Sequence, residues 1–97
     1  MNIQALMQQA NKMKREMEKK QAEIEATVFV SEAGGGAIKV EMKGNHQIEK
    51  ITIDEDALNP EDKEMLEDML KIAINDVNNQ IDQALSAITA GFNMPGF

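Results

Sequence analysis

The sequence predicts an α+β fold: a long N-terminal helix, a three-stranded antiparallel β-meander and a long C-terminal helix. Three observations carry that prediction. Apolar or long-stemmed residues recur at alternating spacings of three and four from Ile3 to Ile24, the stripe of a helix that packs along its length. A period of two takes over between Thr27 and Ile53, as in half-buried strands. A complete helix-start signal at Asn59-Pro60-Glu61-Asp62 then opens a second apolar stripe.

The first helix, residues 1–25, carries its seam on Ile3, Leu6, Ala10, Met13, Met17, Lys20 and Ile24. At about 1.5 Å per residue it forms a rod of roughly 35 Å. A compact domain of this length has a radius of gyration of only about 13 Å. The rod is therefore expected to project, or to pair with a second copy. Residues 27–53 form the meander. Val28-Phe29-Val30 begins a β-branched and aromatic strand, and Gly34-Gly35-Gly36 reverses it. Ile38, Val40 and Met42 alternate with Lys39, Glu41 and Lys43, and Gly44-Asn45 reads as a two-residue hairpin turn. In the third strand, His46 to Ile53, the parity slips between Ile48 and the Ile51/Ile53 pair, which predicts a bulge near Glu49-Lys50.

Residues 54–58 are a polar connection with room for one helical turn. The second helix should span residues 60–90, with Asn59 as N-cap, Pro60 at its first position and Gly91 as its stop. Leu66, Leu70, Ala73, Val77, Ile81, Ala84 and Ile88 line its buried side, widened by Met65, Met69, Ile74 and Leu85. Residues 91–97 read as a flexible tail. Ninety-seven residues suit a single domain. A three-stranded sheet leaves two exposed edges, which invite pairing with another chain. A homodimer joined through its sheets, with helices protruding, accommodates both the edges and the overlong rods. Ile3, Leu6, Met13 and Met17 are then expected against the second helix or the partner arm. Ile38, Val40 and Met42 with Met65, Leu66 and Met69 would supply core and dimer surface.

Composition removes several function classes. Without cysteine there is neither a disulfide nor a thiolate metal site, and no metal or other cofactor is expected. Without Trp or Tyr there is no platform for stacking single-stranded bases. No apolar run is long enough to span a bilayer and none reads as a leader, so a cytoplasmic protein without membrane partners is expected. His46 stands beside a turn as the lone histidine and serves neither Ser31 nor Ser86 as a base, so no enzyme and no small-molecule substrate is expected. Ala37-Ile38-Lys39 after the triple glycine is a strand, whereas a phosphate cradle needs Lys-Ser/Thr and a helix there. Counted from Asp54, the fifth, sixth and twelfth positions are Leu58, Asn59 and Met65, which a calcium loop cannot use.

Charge is the feature that points to function. The chain carries −7 overall, yet Lys12, Lys14, Arg15, Lys19 and Lys20 face only Glu16 and Glu18 within one decade. Lys12, Arg15 and Lys19 recur at i, i+3 and i+7 and so share a helix face. A projecting basic rod without aromatic or base-reading side chains suits phosphate contact. Segment 54–82 is the counterweight, with ten acids against Lys63 and Lys71. Those acids are a solvated face that repels nucleic acid, or a docking surface for a basic protein.

The segments Val30-Ser31-Glu32-Ala33-Gly34-Gly35-Gly36-Ala37-Ile38-Lys39-Val40, Met42 to His46 and Ile51 to Asp54 resemble the YbaB/EbfC family. So do Asp62-Lys63-Glu64-Met65-Leu66-Glu67-Asp68, Ile74-Asn75-Asp76 and the closing Met94-Pro95-Gly96-Phe97. The resemblance covers essentially the whole chain. It implies a bacterial nucleoid-associated protein: a tweezer-like homodimer that binds double-stranded DNA, located in the cytoplasm on the nucleoid. Members are often encoded beside recombination and clamp-loader genes, which implies a role in nucleoid organisation, gene regulation or DNA repair. Matching the family's basic first helix assigns DNA contact to Lys12, Lys14, Arg15, Lys19 and Lys20. The competing expectation is an interaction module whose acidic surface, with Asp54, Glu55, Asp56, Glu61 and Glu64, docks recombination or replication proteins.

Overall fold

A computed structural model describes residues 2–92 of the chain. Helix α1 spans Ile3–Ala26, strands β1, β2 and β3 span Val28–Ala33, Ile38–Lys43 and Ile48–Ile53, and helix α2 spans Lys63–Phe92. Two short 3-10 turns, Glu55–Ala57 and Pro60–Asp62, join β3 to α2. The strands form an antiparallel meander in the order β1-β2-β3. The chain measures 70 × 21 × 16 Å with a radius of gyration of 19.4 Å, well above the roughly 13 Å of a compact chain of this length. The expected projection is real.

Helix α1 starts on Asn2, whose side chain accepts the Gln4 amide at 3.0 Å, a cap that occupies one of the unpaired donors of the first turn. It ends where the Thr27 hydroxyl donates to the Glu23 carbonyl at 2.6 Å and the Gly44 amide donates to the Thr27 carbonyl at 3.0 Å. That last bond ties the arm's base to the β2–β3 turn.

Strand β2 is central, and its alternation places Ile38, Val40 and Met42 inward and buried. Helix α2 covers this face with Ala73, Val77 and Ile81, all fully buried. Each large apolar side chain withdrawn from water this completely contributes about 1.5–3 kcal/mol. Phe29, Ala33, Ile53, Leu66, Met69, Leu70, Ile74 and Leu85 pack around that centre. The β2–β3 register pairs Glu41 with Lys50 and Met42 with Ile48. It thus skips Glu49, the bulge that the parity slip predicts. One extra residue returns both Ile48 and Ile51 to the helix side of the sheet.

Helix α2 lies mainly over β1 and β2. Ile48 and Ile51 on the uncovered third of the same face remain 45% and 41% exposed. The two sheet edges differ as well. On β1 the Gln80 side chain of α2 donates to the Val30 carbonyl at 3.1 Å and to Asp76 at 2.9 Å. The buried Ser31 hydroxyl donates to the same Asp76 carboxylate at 2.8 Å. These two donors, Ser31 foremost, hold the Asp76 carboxyl below its ordinary value of 3.8.

Three local expectations are corrected. The β2–β3 connection is a three-residue loop, with His46 in the left-handed region at φ 70°. The Lys43 carbonyl accepts the His46 amide at 2.8 Å, and the Gln47 carbonyl then accepts the Lys43 amide at 2.9 Å. A type I turn needs such a left-handed closing residue to return the chain in register. Asn59 supplies no side-chain cap to the helix; its amide donates instead to the Asp56 carbonyl at 3.1 Å, and Pro60 opens a 3-10 turn before α2. Gly91 lies inside the last turn of α2, because nothing in its surroundings demands the left-handed conformation that would stop a helix. Ile3, Leu6 and Met65 are 72%, 48% and 58% exposed, so within one chain they belong to no core. The flexible stretch expected at residues 93–97 lies outside the described residues.

Candidate nucleic-acid interface

The arm is built by antiparallel contact between α1 and the C-terminal half of α2. Ile24 and the stem of Lys20 lie beside Ala84, Ala87 and Ile88. One turn further out, Met17 and Gln21 lie beside Leu85, Ile88 and Thr89. Accordingly Met13, Met17 and Ile24 of the seam are half-buried, whereas every residue from Ile3 to Lys12 is exposed. The seam fixes which way α1 faces, and its N-terminal half continues past that contact.

Facing is what sorts the cations. At 3.6 residues per turn, Lys12, Arg15 and Lys19 fall on the side opposite Met13, Met17 and Ile24, and all three are exposed. Lys14 and Arg15 share a shallow depression with Asn11 and Glu18 on the neighbouring flank. Lys20 departs from the group, since its place on the seam turns it toward α2. The structure therefore places Lys12, Arg15 and Lys19 on one outer face, Lys14 on the flank beside Arg15, and Lys20 on the α2 side. Among the described residues, salt bridges join Lys43 to Glu49 and Lys63 to Glu67, and the His46 ring lies 3.8 Å from Asp82. Lys12, Lys14, Arg15 and Lys19 enter none of them. Lys12 and Lys19 stand about 10 Å apart along the helix axis. That span matches about three phosphates of one DNA strand at 3.4 Å of rise each.

His46 and Ser31 are tied up in the fold. The His46 Nδ1 pairs with the Asn78 carboxamide oxygen at 2.9 Å, and its Nε2 lies 3.8 Å from Asp82. Ser31 bonds Asp76 rather than His46, so these two do not form a nucleophile and base. Sequence reasoning missed the Ser31–Asp76–Gln80 cluster and the Asn78 partner of His46. The i, i+4 spacing of Asp76 and Gln80 was the visible signal for a side-chain pair on α2, but only the fold shows that β1 lies beneath it. Among the described residues, no group of three or more acids and histidines converges to hold a metal ion, and no helix is long and apolar enough to cross a membrane.

Comparison with known proteins agrees with this architecture. The chain is 42% identical over 100 residues to a nucleoid-associated protein of Clostridium novyi (strain NT), covering 99% of this chain and 88% of that one. It is 46% identical over 83 residues to a nucleoid-associated protein of Chloroflexus aurantiacus, covering 86% and 83% of the two chains. Among solved structures, an uncharacterized protein of Helicobacter pylori superimposes with a TM-score of 0.72 at 28% identity, covering 99% of both chains. The sequence model of the YbaB/EbfC DNA-binding family matches residues 1–96. This chain, with its basic arm rising from a three-stranded body, therefore belongs to the YbaB/EbfC DNA-binding family.

Proposed function

We propose that this protein is a nucleoid-associated, double-stranded DNA-binding homodimer that grips the phosphate backbone with the outer faces of its two α1 arms. The observation that carries the reading is the cationic face Lys12, Arg15 and Lys19, flanked by Lys14. It is exposed, outside every salt bridge among the described residues, and turned away from the α1–α2 seam. Phosphate neutralisation needs such a face and nothing more. With three Phe as the only aromatics, the arms offer no stacking and little base readout, so binding is non-specific in character. Family membership and the names of the relatives support DNA and the nucleoid as the setting. Nucleoid organisation, gene regulation or DNA repair are the roles such binding serves.

The dimer is proposed to form through β3. Gln80 takes up one carbonyl of the β1 edge, whereas β3 offers an open edge with Ile48 and Ile51 exposed beside it on the face that α2 leaves uncovered. Apolar surface next to free strand donors and acceptors is what a second β3 would cover.

The test is the salt dependence of duplex binding by the full chain and by the Lys12→Glu/Arg15→Glu/Lys19→Glu variant, with light scattering to follow the dimer. Three phosphates per arm give about six per dimer and a log–log slope of about −5. A slope of that order that collapses in a still-dimeric variant supports the reading. Equal binding by both proteins refutes it.

A further inference from the structure

We infer that the end of the body farthest from the arms is a docking groove for a basic amphipathic segment of another protein. A groove of about 280 Å³ opens where the β1–β2 turn, the first 3-10 turn and the start of α2 meet. Ala37, Met65 and Met69 form its apolar part, and Asp54, Asp56 and Asp62 stand along its rim. Met65 is 58% exposed, and so at 55% is Leu58 in the adjoining connection. Gly34 completes the floor at φ +65°, where a Cβ would run into the Met69 thioether. A space of this size receives one large apolar side chain and is too small for most whole small-molecule ligands. Flexible thioethers adapt to whichever side chain arrives.

Charge chooses the class of partner. The rim lies in the segment 54–82 that holds ten acids against two lysines. Among the described residues, no salt bridge engages a rim carboxylate, since those present use Glu49 and Glu67. Asp54 caps the Asp56 amide at 3.1 Å, and Asp62 meets the Asn59 amide at 3.5 Å, which leaves other lone pairs on both carboxylates available. Such a rim repels nucleic acid and attracts Lys and Arg. A methionine-walled groove edged with carboxylates matches a segment that presents Leu, Met or Phe between basic residues, the helix-in-groove mode of peptide recognition. The inference does not depend on the arms, which lie at the other end of the chain.

The experiment is fluorescence anisotropy with three labelled synthetic peptides: an amphipathic Leu/Lys helix, a Lys/Ser peptide of equal charge, and a Leu/Glu helix. The full-length protein is compared with Met65→Ser, with Asp54→Asn/Asp56→Asn/Asp62→Asn, and with the triple Glu arm variant. Asn retains the capping oxygen and Met65 lies outside the core, so circular dichroism should show intact folds. Saturable binding of the Leu/Lys helix is expected, weakened about tenfold by loss of the three rim charges and lost in Met65→Ser. The arm variant should bind it as the wild type does, whatever its effect on DNA. Equal binding of the Lys/Ser peptide overturns the inference, as does binding that ignores the groove variants. Absence of peptide binding, with a self-association that Met65→Ser abolishes, also overturns it and makes a second copy the occupant.

Discussion

Replacing Gly44 by alanine tests how the arm is seated. Gly44 is buried where the β2–β3 turn meets the last turn of α1. A Cβ there would overlap the Ile24 carbonyl oxygen and lie 2.6 Å from the Ile24 carbonyl carbon and 3.0 Å from the Glu25 Cα. These are backbone atoms, so no rotamer change relieves the overlap. Carbon atoms need about 3.5 Å, so the base of α1 must retreat by roughly 1 Å. If the helix pivots on its Met17 contact, about 10 Å from Ile24, the tip at Ile3 lies about 21 Å beyond. The lever roughly doubles the displacement, to about 2 Å at the tip. Overpacking of this kind costs about 1–3 kcal/mol, which lowers a urea midpoint by about 1 M for a chain of this size. Far-ultraviolet dichroism reads the midpoint. Because the chain has no cysteine, spin labels at Gln9→Cys and Gln83→Cys read the arm directly. An unchanged midpoint together with an unchanged label distance would refute the argument that a bare Cα seats the arm.

Three further outcomes are expected. Ile81 is fully buried in the centre of the core, so Ile81→Ala should cost about 2–5 kcal/mol in urea unfolding; a loss below about 1 kcal/mol would mean that α2 is not packed there as described. Gly91 lies in the last turn of α2, and a Cβ there would meet nothing within 4 Å, so Gly91→Ala should raise stability by up to about 1 kcal/mol, and a decrease would show that the helix stops earlier. Asp76 has its folded pKa below 3.8, through Ser31 first and Gln80 second, so its contribution is present above the unfolded value and is lost as pH falls through the lower folded one. The destabilisation caused by Ser31→Ala should therefore shrink as pH drops below 3.8, and a cost independent of pH would sever the link to the carboxylate.

Much of this architecture is legible in the sequence because its signals are local. The three-four spacing of α1, the alternation of β2 and the parity slip at Glu49 each express a backbone period within one element, and each element appears where its pattern ends. The failures concern what one element does to another. Asn59 has the residue type of a cap, but its amide is drawn to the Asp56 carbonyl by the turn preceding it. Gly91 could have stopped a helix, but stopping requires a left-handed turn that its surroundings do not impose. Nothing along the chain tells that α2 settles over β1 and β2, so neither the shielding by Gln80 nor the exposure of Ile48 and Ile51 could be read. The candidate site divides in the same way. The shared face of Lys12, Arg15 and Lys19 follows from spacing alone, whereas Lys20 parts from it because Ala84 and Ile88 take up the seam.

Segregated charge along a 70 Å body also governs how the molecule approaches a polyanion. With the cations on the arm and the acids of residues 54–68 at the opposite end, the protein carries a large electric dipole along its own length. In the field of a duplex such a dipole experiences a torque that swings the arms forward and the body back before any atom touches. Screening confines that torque to the last 8 Å or so at physiological ionic strength, but within that shell it discards most misoriented encounters. Added salt should then slow association more than it hastens release. With the arms as the proposed grip, the acidic body would in this way act as the vane that points them.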